Sequence, residues 1–176
     1  MRELRTYLRG RASRFSVQLP LHVRRELLAV AEEKDPSETG GILLGTWDAE
    51  RCMVEAQVGP GPKAIHHSNS FIPDYAFQTK EVSRLYEESA RTLSYLGDWH
   101  THPGKPLYLS PRDTKTLKRI GTYAPARCPR PIMVVLGGES EWSAAAWVGE
   151  RIGFGVIWRI GSVTLILNSR VSKQSQ

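Results

Sequence analysis

Cysteine is scarce in this sequence, which contains only Cys52 and Cys128 among its 176 residues. Two cysteines this far apart do not make the framework of a disulfide-stapled domain. Neither belongs to a Cys-x-x-Cys pair, so cysteine ligation of a structural zinc ion is disfavoured. We interpret both as free thiols in the reducing environment of the cytoplasm.

Long apolar runs are also missing. No run approaches the roughly 20 residues that a membrane-spanning helix needs, and the charged N-terminus, residues 1–5, has no apolar segment behind it that would make a signal peptide. Hydrophobic residues make up 40% of the chain and charged residues 24%, which is ordinary for a globular protein. The length predicts one domain with its own core. We therefore expect a cytoplasmic protein without a membrane partner.

Acidic residues are outnumbered, and the formal net charge is +6. Most of the excess lies in residues 1–14, where five arginines stand against one glutamate and the net charge is +4. We predict that residues 1–14 form a basic N-terminal arm, either a solvated tail or a docking element for an acidic partner. A nucleic-acid partner is disfavoured, because neither interleaved aromatic residues nor a nucleic-acid-binding motif accompanies the arginines.

Residues 15–168 alternate between strand-like and helix-like apolar patterns, which predicts a single α/β domain. Helices are predicted at 20–34, at 73–91 and from Ser110 onward, and strands at 15–19, 39–47, 51–58, 93–102, 131–136, 142–148, 155–160 and 163–167. The last of these is either a separate strand or a continuation of the one before it. A polar connection is predicted at 64–71 and a C-terminal tail at 169–176.

The centre of the sequence holds two histidines separated by one residue, His100 and His102, at the end of an apolar, strand-like run. Side chains alternate sides along a strand, so both imidazoles point the same way and can reach one ion. Asp113, near the start of the next helix, can bring a carboxylate to the same place. Two nitrogens and one carboxylate oxygen leave one tetrahedral position open, which is the pattern of a catalytic zinc site.

The segment Ser110-Pro111-Arg112-Asp113 also has a purely structural interpretation. Serine at the N-cap, proline at the first helical position and an acidic residue at the third make a common helix start. The two interpretations are compatible, because the cap fixes where the helix begins and therefore where Asp113 points. The complete order, His-x-His-Pro, six residues and Ser-x-x-Asp, favours the metal site.

This order resembles the motif of the JAB/MPN metalloproteases, also called the JAMM family, in which an upstream glutamate precedes His-x-His-Pro, a short gap and Ser-x-x-Asp. The matching residues are Glu38, His100, His102, Pro103, Ser110 and Asp113. The resemblance covers residues 15–150 and implies a fold like that of cytidine deaminases. We therefore expect a mixed, mostly antiparallel sheet flanked by helices, in a metalloprotease domain at residues 15–168.

The resemblance also implies an activity, the hydrolysis of an amide or isopeptide bond with one Zn²⁺ per chain. His100, His102 and Asp113 would hold the metal. Glu38 would act as the general base on the attacking water. Ser110 would donate a hydrogen bond to the developing oxyanion.

Single-domain bacterial members of this family are found beside ubiquitin-activating-like and conjugating-like proteins, including in anti-phage defence operons. The resemblance thus implies a ubiquitin-like protein or its conjugate as substrate, cut at its C-terminal glycine tail, with activating-type and conjugating-type enzymes as operon partners. The tail would lie extended beside the active-site strand and add to the sheet edge. Residues 60–72, with Phe71 among them, and the loop 104–109 would then lie near the substrate.

Several alternatives stay open at this point. A sulfur-carrier or small-molecule amide hydrolase would use the same metal site, whereas a non-catalytic scaffold is disfavoured because every motif position is filled. The DNA-repair-associated branch of the family is disfavoured because the N-terminal arm is too short for the helical region that this branch carries. His66 and His67 are interpreted as loop residues, with ligation or substrate contact as alternatives. Asp98 is a candidate partner for a ligand imidazole, and Trp99 is expected in the core.

Overall fold

The computed structural model describes residues 5–6, 14–153, 155 and 157–168. Its strands are β1 (Arg5–Thr6), β2 (Ser16–Pro20), β3 (Gly40–Asp48), β4 (Arg51–Val58), β5 (Ile65–His67), β6 (Ser70–Ile72), β7 (Ser94–Pro103), β8 (Ile132–Gly138), β9 (Ser143–Ile152) and β10 (Ile157–Asn168). Its α-helices are α1 (Leu21–Lys34), α2 (Tyr75–Glu88) and α3 (Pro111–Thr122), and a 3-10 helix covers Ala124–Ala126. The basic arm predicted at 1–14 is described only at β1 and Arg14, and the tail predicted at 169–176 lies outside the described residues.

The main sheet closes on itself. Its strand order is β9-β10-β2-β4-β3-β7-β8, and β8 also pairs with β9, while β1 lies parallel to the start of β9 outside this ring. Parallel pairs join β10 to β2, β2 to β4 and β7 to β8, and antiparallel pairs join β9 to β10, β3 to β4, β3 to β7 and β8 to β9. The mixed sheet was predicted and is confirmed. Its closure was not predicted, and it leaves the ring strands paired on both sides.

Strand β8 shows how the layers are arranged, because both of its faces are buried. Ile132 and Val134 belong to the larger core, which the buried side of α1 completes. Met133 and Val135 face the other way, into a smaller cluster with Leu117 of α3. The continuous apolar run of this strand is therefore explained by helices on both sides of the sheet.

The same alternation orients β7 and with it the candidate ligands. Trp99 is fully buried in the larger core, at 0% exposure, as its sequence position predicts. Its neighbours His100 and His102 must therefore point to the opposite face of the sheet. That face carries α3, which contains Asp113.

The structure differs from the prediction at residues 64–71, and it decides between the two alternatives for the last strand. Residues 64–71 were predicted to be a polar connection, but residues 65–72 form the antiparallel two-stranded sheet of β5 and β6. These strands are too short to show a periodic pattern, and tertiary hydrogen bonds hold them: the Glu38 amide donates to the His67 carbonyl at 2.8 Å. At the C-terminal end of the domain, β10 is one strand from Ile157 to Asn168 rather than two.

The cysteines and the helices agree with what the sequence predicted. Cys52 and Cys128 are both buried and both free of disulfide bonds. None of the helices in the described part of the chain has the length and apolarity to cross a bilayer.

Candidate metal centre and active site

Two histidines and one aspartate converge on the α3 side of β7. His100 and His102 are 7% and 4% exposed, and their Nε2 atoms lie 3.1 Å apart. The Oδ2 atom of Asp113 lies 3.4 Å from His100 Nε2 and 3.7 Å from His102 Nε2. The three residues that the sequence predicted as metal ligands are thus brought to one point.

The spacing of these three atoms fits a tetrahedral metal ion. With metal–ligand bonds of about 2.0–2.1 Å, two ligand atoms of a tetrahedral zinc site lie about 3.3–3.4 Å apart. The observed separations run from 3.1 to 3.7 Å and bracket that value. Two imidazole nitrogens and a carboxylate oxygen that face one another are all electron-pair donors. A divalent cation can accept electron pairs from all three.

Protonation states also suit ligation, because a metal binds neutral imidazole and ionised carboxylate. Burial, reinforced by the neighbouring His100, lowers the pKa of His102 to about 4. Burial acts to raise the pKa of Asp113, but hydrogen bonds from His100 and Ser110 outweigh it and hold the pKa well below its ordinary value. Near neutral pH both side chains are therefore in the ligand form.

The start of α3 positions Asp113. Ser110 Oγ accepts a hydrogen bond from the Asp113 amide at 3.2 Å, and Asp113 Oδ2 accepts one from the Ser110 amide at 2.8 Å, which completes a capping box. Pro111 occupies the first helical turn as predicted. The structural interpretation of this segment is confirmed, and the Oδ2 atom that completes the capping box is also the one that faces the two imidazoles.

Strand pairing brings Glu38 to the same side as the histidines. Gly40 lies opposite His100 in the β3–β7 ladder. Thr39 continues the pairing through hydrogen bonds with Thr101: its carbonyl accepts from the Thr101 amide at 2.8 Å, and its amide donates to Thr101 Oγ1 at 2.9 Å. Paired residues of antiparallel strands point to the same face, so Glu38 shares the face of His100 and His102. The residue is 8% exposed, and burial raises the pKa of its carboxyl while Lys105 opposes that shift.

The close strand contact beside the site explains the glycine pair. A Cβ atom on Gly40 would lie 2.3 Å from the Trp99 carbonyl oxygen and 2.6 Å from the Phe71 ring. A Cβ on Gly41 would lie 2.0 Å from the Val58 carbonyl oxygen. Glycine inside a strand is costly unless another backbone approaches closely, and such an approach occurs on both sides of β3.

Residues of the β5–β6 hairpin and of the loop 104–109 border the site through contacts that no sequence pattern predicted. The His66 Nδ1 atom lies 3.0 Å from the Glu38 carbonyl oxygen, and the His66 ring stacks on Phe71, so this histidine is a contact of the site rather than a plain loop residue. Across the site, Lys105 Nζ lies 3.4 Å from Glu38 Oε1 and 3.3 Å from the Ser68 carbonyl oxygen. No sequence pattern marks Lys105, because its partners are distant in the chain.

The prediction that Asp98 is the hydrogen-bond partner of a candidate ligand histidine was wrong. The Asp98 carboxylate accepts a hydrogen bond from the Tyr95 hydroxyl at 2.6 Å, and within the described residues it makes none with either ligand histidine. His102 Nδ1 is buried without a hydrogen-bond partner in the same part of the chain. Tyr108 instead lies beside this imidazole, with 5.1 Å between the ring centroids.

The closed mixed sheet and the buried His-His-Asp cluster beside a glutamate define a class, the α/β domains with a candidate metal centre on one face of the sheet. Residues 20–148 match the family described as prokaryotic homologs of the JAB domain, and the chain belongs to this family. The resemblance drawn from the motif is thereby confirmed.

Relatives with descriptive names are similar over most of the domain. A protein of Sinorhizobium fredii, named probable metalloprotease y4qB, is 36% identical over 140 residues, which are 76% of this chain and 84% of that protein. A protein of Enterobacter hormaechei, named CD-NTase/cGAS isopeptidase, is 32% identical over 123 residues, 65% of this chain and 64% of the relative. The solution structure of Desulfitobacterium hafniense protein DSY2949 superposes with a TM-score of 0.59 at 16% identity, covering 89% of this chain and 95% of that one, which shows a shared fold.

Proposed function

We propose that this protein is a zinc-dependent isopeptidase that cuts an amide bond at the C-terminal tail of a ubiquitin-like protein. One observation carries the proposal: His100, His102 and Asp113 place three ligand atoms at tetrahedral spacing on the face that also holds the buried carboxylate of Glu38. The names of the relatives support the reaction class, since one is called a metalloprotease and another an isopeptidase. A scaffold role would not need this combination of ligands and base.

The metal would be held by His100, His102 and Asp113, and when bound it would supply a Lewis acid and a water of lowered pKa. Glu38 would take the proton of the attacking water and return it to the leaving amine. Its burial suits that task, because desolvation raises the pKa of the carboxyl toward the range of a general base. Lys105, whose Nζ lies 3.4 Å from Glu38 Oε1, opposes this rise of the pKa and favours the ionised Glu38 carboxylate.

Ser110 would donate a hydrogen bond to the oxyanion that forms as the carbonyl is attacked. Its Oγ already accepts from the Asp113 amide at 3.2 Å. That bond uses a lone pair of the oxygen and not the hydroxyl hydrogen. The capping interaction therefore orients the hydroxyl without consuming its ability to donate.

The proposed route of the substrate tail differs from the route expected from the sequence. Strand β7 pairs with β3 on one side and β8 on the other, so an extended tail has no edge of β7 to join. The two-stranded sheet of β5 and β6 lies beside Glu38 and pairs only within itself among the described strands. A tail that adds a strand to this hairpin would run past Glu38 between the hairpin and the loop 104–109.

The expected partners follow from this substrate. The isopeptidase name of the Enterobacter relative supports a conjugate as substrate, and activating-type and conjugating-type enzymes of the same operon would make such a conjugate. A cytoplasmic location fits these partners. Nucleic acid is not needed for this reaction.

The test measures metal content and cleavage together, on the wild type, Glu38→Gln and His100→Ala. The substrate is a ubiquitin-like protein fused through its C-terminal glycine to a reporter. We expect about one zinc per chain in the wild type and Glu38→Gln, none in His100→Ala, and turnover lowered about 10²–10⁴-fold in Glu38→Gln. Wild-type protein that binds no zinc under metal-replete conditions would refute the metal assignment, and near-normal turnover of Glu38→Gln would refute the base.

A further inference from the structure

A cavity lies at the end of the barrel remote from the candidate metal centre. It encloses about 640 Å³, and its walls include Trp47, Tyr95, Arg127, Arg130, Glu150 and Arg151. Ser94, which also lines it, is six residues before His100 on β7. At about 3.3 Å per residue the two sites are about 20 Å apart, so the cavity is separate from the site already described.

The charge of this far-end cavity is strongly positive. Four arginines, Arg14, Arg127, Arg130 and Arg151, line it with a single acid, Glu150, which leaves a formal excess of three positive charges. No lysine contributes. Guanidinium groups present planar pairs of donors that match phosphate or carboxylate oxygens in a bidentate manner.

Two of the four arginines are already held by the protein. Arg14 donates to Glu150 at 2.9 Å, and Arg130 donates to the Ala49 carbonyl at 3.1 Å while its guanidinium lies 5.0 Å from the centre of the Trp47 ring. Glu150 is satisfied as well, because Arg159 also donates to its carboxylate. Burial acts to raise the pKa of Glu150, but these arginines outweigh it and lower the pKa, so the carboxylate is ionised and fully engaged.

The other two, Arg127 and Arg151, have no such partner. Both side chains are exposed at the cavity, and no carboxylate of the described residues lies within ion-pair distance of either. Exposed arginines are common, but here two of them border a cavity whose only acid is already paired twice. The cavity therefore offers unneutralised donors and no acceptor to balance them.

The volume of the far-end cavity and its lining residues indicate which class of ligand it could bind. Small-molecule sites commonly enclose about 300–1,000 Å³, and this cavity lies within that range. Trp47 and Tyr95 supply aromatic surface beside the arginines, which suits a planar ring next to a charged group.

We propose that the far-end cavity binds a phosphorylated small molecule of nucleotide size, with its phosphates on Arg127 and Arg151. This binding is independent of the metal centre and of the proposed hydrolysis. The ligand carries at least two negative charges, because two free guanidinium groups need to be matched.

The test is calorimetric titration of the purified, metal-loaded protein with pyrophosphate and with ATP at an ionic strength of about 0.15 M. We expect about one binding site per chain, and binding weakened roughly tenfold or more by Arg127→Ala and by Arg151→Ala, since each removes one charge-assisted contact. Arg25→Ala removes an exposed arginine of α1 away from the cavity and is the matched control. His100→Ala separates this site from phosphate bound at the metal, and it should leave the affinity unchanged.

Each outcome decides the proposal. Binding that survives His100→Ala and Arg25→Ala but weakens in both cavity variants supports it. Binding lost in His100→Ala would place the phosphate at the metal and overturn it. Binding of polyglutamate without binding of pyrophosphate or ATP would also overturn it, and would make the cavity an acidic-protein contact. Because both substituted arginines are exposed, unchanged melting temperatures are expected and would show that a loss of binding is not a loss of fold.

Discussion

Ser110 has one observed role and one proposed role, and one set of substitutions can separate them. It caps α3 through a hydrogen bond from the Asp113 amide to Oγ at 3.2 Å, and it is the proposed oxyanion donor. Ser110→Ala removes both roles. Losing an N-cap side chain costs about 1 kcal/mol, which in a domain of this size lowers the melting temperature by about 2–4 °C. Losing an oxyanion donor lowers kcat by about 10²–10³-fold.

Ser110→Gly is the informative variant, because glycine at an N-cap costs only a few tenths of a kcal/mol. We expect its melting temperature to stay within about 1 °C of the wild type, while kcat falls as far as in Ser110→Ala. Ser110→Thr keeps a hydroxyl and should keep most of both properties. The assay pairs thermal unfolding with kcat at saturating fusion substrate, and zinc content is measured on each sample.

The results that would refute this reasoning are distinct. If Ser110→Gly keeps kcat within a factor of about three, less than one oxyanion donor is worth, Ser110 is only a helix cap. If Ser110→Ala loses zinc together with kcat, the cause is displacement of Asp113, whose Oδ2 accepts from the Ser110 amide at 2.8 Å.

Three further predictions rest on single contacts. Gly40→Ala puts a Cβ 2.3 Å from the Trp99 carbonyl oxygen, so we expect a loss of about 1–3 kcal/mol in urea unfolding together with weaker zinc binding; unchanged stability would contradict the close strand contact. Because the pKa of His102 is lowered to about 4 in the fold, chelator-treated protein should lose stability as pH falls from about 6.5 to about 4, by a few kcal/mol in urea titrations, and a flat profile would contradict this. Lys105→Met removes the cation that opposes the burial of Glu38, so the acidic limb of the kcat/KM profile should move to higher pH, while Lys105→Arg should restore it.

The predictable part of the fold was local. The strand and helix positions follow from apolar periodicity, and the helix start at Ser110 follows from a capping sequence that acts within one turn. The His-x-His spacing on a strand required that His100 and His102 share a face. Each of these signals lies within a few neighbouring residues, which is why the sequence was enough.

The less predictable part depends on residues far apart in the chain. The hairpin of β5 and β6 has strands of three residues, which are too short for a pattern, and it is held by the Glu38 amide at 2.8 Å from the His67 carbonyl. Closure of the sheet requires β8 to pair with β9 as well as β7. Asp98 looked available to a ligand histidine, but a tyrosine of the same strand occupies it at 2.6 Å.

The sequence by itself determined which residues are the candidates for the chemistry, because ligand type, spacing and capping are properties of short segments. The tertiary structure decided where they meet. Burial of Trp99 in the core turned the histidines to the α3 face, and the pairing of Gly40 with His100 brought Glu38 to that face. The arginines of the far-end cavity come from separate loops and strand ends, and only closure of the barrel assembles them. Long-range pairing and packing set these contacts, and no local pattern encodes them.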